Sequence, residues 1–142
     1  MLSIHGLNPT SIEDLSKKLS VYFPIKSISN KKNKLFRIID MLFSITVNSR
    51  RCQLIIIDVY GTSAFYYSII VIIYSKILNI KLIPVFRGGA LPQKMLKHPR
   101  LFDFVFRGIN PIICPSDYLG SIFNKKFNVQ IIHNYIELNN YP

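Results

Sequence analysis

Gln53 to Asp58 carries the run Leu54-Ile55-Ile56-Ile57, a continuous stretch rich in β-branched residues and closed by a carboxylate. A strand with one wet face alternates apolar and polar residues. A run without alternation reads instead as a strand covered on both faces, the condition of a parallel sheet. Parallel neighbours must be joined by a crossover of a dozen or more residues, and the sequence supplies one. Tyr60-Gly61-Thr62 makes a turn with Thr62 as a helix cap, an apolar helix extends to Leu78, and Lys81 to Phe86 follows as a second buried strand.

The same alternation continues. Short helical pieces over Gln93 to Arg107 lead to a strand over Pro111 to Pro115. Ser116 then caps a helix with Tyr118, Leu119, Ile122 and Phe123 on its apolar side, and Val129 to His133 forms a last strand. Upstream, Ser11 and Asp14 open a helix to Ser20 in a variant of the capping box. Pro24 to Ser29 reads as a short edge strand, since proline is tolerated where a strand starts. From Asn33 to Arg50 a stripe of Leu35, Ile38, Ile39, Leu42 and Ile45 marks a long amphipathic helix. Strands alternating with helices predict a single α/β domain, Rossmann-like and doubly wound around a mainly parallel sheet.

Composition narrows the function classes. Eighteen Lys and Arg against seven Asp and Glu give a net charge of +11, which favours anionic partners without choosing among phosphate, nucleic acid and lipid. RNA recognition calls for exposed sheet aromatics or a module signature, and the sequence carries neither, so no nucleic acid is expected. Cys52 and Cys114 stand apart, with no C-x-x-C spacing or clustered His, so neither a disulfide framework nor a metal site is expected. Met1 to Thr10 lacks the basic-then-apolar signal pattern, and a cytoplasmic location follows. Ala64 to Ser75 is too short to span a bilayer and contains Tyr66, Tyr67 and Tyr74; it reads as a buried helix. The basic run Lys31-Lys32-Asn33-Lys34-Leu35-Phe36-Arg37 fits either an anionic membrane surface or a solvated helix face.

In an open parallel sheet, ligands sit beyond the carboxyl ends of the strands, where Asp58, Tyr60, Arg87-Gly88-Gly89, Ser116 and Asn134 gather. Two glycines after a buried strand let backbone N–H groups approach a ligand, and Arg87 adds a clamp for an anion or sugar hydroxyls; a glycine turn beside a solvated Arg is the plainer reading. Ser116 fits a ligand contact or a simple cap, with Asp117 and Tyr118 in support, and Asp58 fits an acceptor hydroxyl or a loop cap. The glycines match neither a dinucleotide fingerprint nor a P-loop. His5, His98 and His133 form no local set with a nucleophile, so no catalytic residue is assigned and no cofactor is expected.

Four ordered segments carry a family likeness: Asp58-Val59-Tyr60-Gly61-Thr62-Ser63-Ala64-Phe65, Pro84-Val85-Phe86-Arg87-Gly88-Gly89-Ala90-Leu91-Pro92, Ile113-Cys114-Pro115-Ser116-Asp117-Tyr118-Leu119 and Ile132-His133-Asn134-Tyr135-Ile136-Glu137. The chain resembles, from about Asn30 to Pro142, the N-terminal, acceptor-side domain of family 4 glycosyltransferases of the GT-B fold. The resemblance implies that Arg87, Gly88 and Gly89 line an acceptor cleft, that Ser116 and Tyr118 stand beside it, and that Asn134 lies near a crossing to a second domain. It also implies a nucleotide-sugar donor held by that second domain, supplied in trans, and a sugar or lipid-linked acceptor at the inner face of the membrane. Two features depart from the family pattern. Arg87 stands where many relatives have His, and the family's first strand and Gly-rich loop are not evident ahead of Ser11. The Glu-rich donor motif is also missing, Glu137 being the only Glu after Glu13. The expectation is an acceptor-binding domain for polysaccharide or glycolipid assembly, inactive alone. The alternative is a non-catalytic Rossmann-like binding or interaction module for a phosphorylated ligand.

Overall fold

The computed structural model describes residues 11–28 and 34–134, without the side chains of 11–14, 34 and 35. Six helices and four strands occur among these residues: α1 (Ser11–Leu19), α2 (Lys34–Asn48), β1 (Leu54–Tyr60), α3 (Ala64–Ile77), β2 (Lys81–Arg87), α4 (Leu91–Lys97), α5 (Pro99–Phe106), β3 (Ile112–Cys114), α6 (Asp117–Phe123) and β4 (Val129–Ile131). The strands form one all-parallel sheet in the order β1-β2-β3-β4, flanked by helices in a Rossmann-like α/β arrangement. β1 and β2 pair over their full lengths, from Leu54 opposite Lys81 to Tyr60 opposite Arg87.

Successive strand residues point to opposite faces of the sheet, and the two faces differ. Ile57, Val59, Leu82, Phe86, Ile112 and Cys114 enter one core with α3, α5 and α6. Its centre is aromatic: Phe86 packs edge-on against Phe106 and Phe123, with centroids 4.8 and 4.6 Å away, and Phe65 stacks on Phe102 at 5.1 Å. Lys76 fastens α3 to α5. Its Nζ donates to the carbonyls of Val105 (2.7 Å) and Arg107 (3.1 Å), acceptors that the end of α5 leaves without intrahelical partners. Burial of that ammonium lowers the Lys76 pKa. The opposite face carries Asp58 and Tyr60 from β1 and Arg87 from β2.

Local chemistry accounts for most boundaries. Pro92 and Pro99 sit in the first turns of α4 and α5, where a missing N–H costs nothing. Pro99 also pushes His98 to φ −132° and ψ 58°, which divides the expected short helical pieces into α4 and α5. Thr62 accepts from the N–H groups of Ala64 (Oγ1, 3.4 Å) and Phe65 (carbonyl, 3.1 Å) at the start of α3. Ser116, extended at φ −149°, accepts from the Leu119 N–H at 3.4 Å and so caps α6.

Three expectations are corrected. Residues 24–28 form no strand: Pro24 offers no N–H to a ladder and residues 24–27 are exposed, while Ile28 packs against the core without pairing; Ser29 lies outside the described residues. Tyr118 is not on the buried side of its helix but is 61% exposed. Ile39 is exposed while Ile45 is buried, because six residues place them about 120° apart on the helix and α3 covers only one side. The proposed Ser11–Asp14 cap and Leu35 fall on side chains outside the described residues.

Candidate functional site

At the carboxyl ends of β1 and β2 the second sheet face closes into a polar cluster. Tyr60 and Arg87 are register partners, and Asp58 lies one pleat back on the same face of β1. Arg87 Nε donates to Asp58 Oδ1 at 2.7 Å, and Nη1 donates to Asn134 Oδ1 at 3.0 Å. The Tyr60 hydroxyl donates to Asp58 Oδ2 at 3.3 Å. The Arg87 and Asp58 side chains are only 12% and 9% exposed, so the pair is shielded from most of the water that weakens surface ion pairs. Burial raises the Tyr60 pKa, and the Asp58 carboxylate adds to the rise by disfavouring a phenolate, while Arg87 opposes it.

The backbone around the cluster is shaped by glycines. Gly88 has φ +86°, a conformation that costs L side chains about 1–2 kcal/mol. A Cβ built on Gly88 or on Gly89 meets no atom within 4 Å, so this loop borders open space. Gly61 is the opposite case. A Cβ there would stand 2.6 Å from the Ala90 carbonyl carbon and 2.7 Å from the Leu91 nitrogen. The turn after β1 and the loop after β2 therefore touch backbone to backbone. Ser68 of α3 also donates to the Asp58 carbonyl at 2.9 Å, tying the helix to the strand end.

Asp58, Tyr60, Arg87 and Asn134 are thus brought into one hydrogen-bonded group, with Gly88 and Gly89 following Arg87 directly. Ser116 is occupied as the cap of α6, and Tyr118 projects from that helix. The exposed His133 Nε2 lies 3.7 Å from Asp117 Oδ2. Asn134, placed by resemblance near a domain crossing, is a hydrogen-bond partner of the Arg87 guanidinium. Two contributions were not read from the sequence: the close approach at Gly61 and the direct pairing of Asp58 with Arg87. In the register Asp58 lies opposite Val85 and Arg87 opposite Tyr60, so the pair is a diagonal one that only the strand pairing brings together.

Elsewhere, a surface depression lined by Arg100, Asp103, Phe104 and Arg107 runs along α5 and includes none of these residues. Cys114 is buried, and desolvation pushes its thiol up to about 11. Among the described residues no group of three or more His, Cys, Asp or Glu is placed to hold a metal ion, and no helix is long and apolar enough to cross a membrane. Compared with family models, curated proteins and solved structures, the chain matches none.

Proposed function

We propose that this chain is the acceptor-binding part of a glycosyltransferase, with the cluster at the ends of β1 and β2 holding a neutral, hydroxyl-rich acceptor. The observation that carries this reading is the occupancy of Arg87. A guanidinium with its fork free is suited to clamp phosphate bidentately. Here Nε is committed to a carboxylate and Nη1 to an amide oxygen, so the pair is neutral as a unit. Such a cluster offers donors and acceptors side by side, and a sugar hydroxyl is itself both donor and acceptor. That favours a saccharide over the phosphorylated ligand of the alternative reading. The open space at Gly88 and Gly89 gives the ligand room beside backbone N–H groups.

On this reading a nucleotide-sugar donor is bound by a second domain, and transfer takes place between the two. An acceptor carried on a lipid would bring the chain to the inner face of the membrane. The test is an amide NMR titration with neutral glycosides of glucose, galactose and N-acetylglucosamine, alongside inorganic phosphate and a uridine diphosphate sugar. The reading expects shifts at Gly88, Gly89 and the Arg87 Nε–H with at least one glycoside, lost in Arg87→Lys, which keeps the charge without the fork. Shifts there with phosphate alone would favour a phosphorylated ligand, and a silent cluster across the whole panel would remove the binding role.

A further inference from the structure

Helix α2 is apolar on two sides. Its inner side, with Ile45 3% exposed and Met41 packed against the core, lies against α3, where Thr46 Oγ1 and the Tyr74 hydroxyl are 2.6 Å apart. The outer side carries Phe36, Ile39, Phe43 and Val47, which are 63%, 62%, 67% and 64% exposed. Their spacing of three, four and four residues keeps all four within about 80° of one another, opposite Ile45. Scattered exposed apolar residues are ordinary, but an aligned row of this kind marks an interaction surface. Arg37 stands about 80° from the nearest member of this row and Asp40 borders it beside Val47, while exposed Arg50 and Arg51 follow its end, in a chain whose net charge is +11.

We infer that the outer face of α2 is a docking surface for an anionic lipid bilayer, with Phe36, Ile39, Phe43 and Val47 entering the headgroup boundary and the neighbouring arginines contacting lipid phosphates. Charge complementarity selects this occupant. A second copy would bring +11 against +11, with the same arginines facing each other, whereas an anionic surface is attracted to every one of them. Geometry agrees. At 15 residues α2 is about 22 Å long, short of the ~30 Å hydrocarbon core, and its inner side is already held by α3, so it lies along the surface and does not cross it. The inference stands on α2 alone and does not depend on the acceptor reading.

The test is co-sedimentation of the full chain with vesicles of phosphatidylglycerol and phosphatidylethanolamine, and with phosphatidylcholine vesicles as the neutral reference. Binding is expected to the anionic vesicles and to fall steeply with added salt. Phe43→Gln combined with Val47→Gln should weaken the partition constant by about tenfold or more, since apolar burial is lost at positions that support no core contact. Arg50→Gln with Arg51→Gln should weaken it by about twenty-fivefold, near fivefold per cation. Circular dichroism and urea midpoints matching the parent chain keep a folding defect from passing as a result. Equal binding by the Phe43/Val47 variant would show attraction by net charge alone and overturn the inference. So would failure to bind anionic vesicles, or a dimer in sedimentation velocity that the same variant dissolves.

Discussion

Replacing Gly61 with alanine is the sharpest probe of how the site is assembled. The added carbon would stand 2.6 Å from the Ala90 carbonyl carbon, 2.7 Å from the Leu91 nitrogen and 2.9 Å from the Ala90 Cβ, all well inside van der Waals contact near 3.5 Å. None of the three is the far end of a flexible side chain, so relief requires a shift of the turn after β1 or of the loop after β2. Overpacking of this sort costs about 1–3 kcal/mol, and taking about 2 kcal/mol, the melting temperature of a chain this size falls by roughly 6 °C. Urea unfolding followed by circular dichroism measures the loss directly. Gly89→Ala is the control, because its Cβ meets no atom within 4 Å and its φ is not in the left-handed region. Its stability should be unchanged or slightly higher. If both variants unfold at the same urea concentration as the parent, the two loops do not touch as described, and the reasoning about the site's walls fails with them.

Asp58→Ala should cost about 3 kcal/mol in urea unfolding, because it leaves the mostly buried Arg87 guanidinium without its carboxylate. Asp58→Ala with Arg87→Met should recover part of that loss, and strictly additive losses would show that the pair is not coupled. Tyr60 gives a pH dependence whose sign is fixed by its raised pKa. The folded state holds the phenolic proton more tightly than the unfolded state, so this contribution is complete below pH 10 and is lost as pH rises through the folded value. Difference absorbance of the phenolate near 295 nm, parent against Tyr60→Phe, should show one tyrosine titrating above the ordinary range. A Tyr60 that titrates at or below pH 10 would contradict its burial beside Asp58.

The strands were legible in the sequence as uninterrupted apolar runs. Leu54-Ile55-Ile56-Ile57 and the Lys81–Phe86 run form the parallel strands β1 and β2, and β2 is covered on both faces as expected, whereas β1, at the end of the described sheet, leaves Leu54 44% exposed and buries only Ile57 and Val59. Pro99 and Ser116 act on their own neighbours, so their effects on helix starts were also local, whereas the cap expected at Thr62 falls one residue early: Ser63 is the N-cap of α3 and makes no side-chain cap bond. The weak edge strand at Pro24 failed for the complementary reason: a strand exists only if a neighbour rewards it, and the sequence of one segment does not contain that neighbour.

What this sequence determined by itself is therefore the alternation of strands and helices, the parallel sheet, and the gathering of Asp58, Tyr60, Arg87 and the two glycines at one edge. What only the tertiary structure decided is which of these groups meet. Arg87 reaches Asp58 across 29 positions and Asn134 across 47, Gly61 touches the Ala90–Leu91 backbone, and α2 turns Phe36, Ile39, Phe43 and Val47 outward. Hydrophobic periodicity encodes which residues leave water, since that term is non-directional and additive along a segment. Hydrogen bonds and close backbone approaches depend on angles and fractions of an ångström between segments distant in sequence, and those are fixed only when the sheet has paired and the loops have packed.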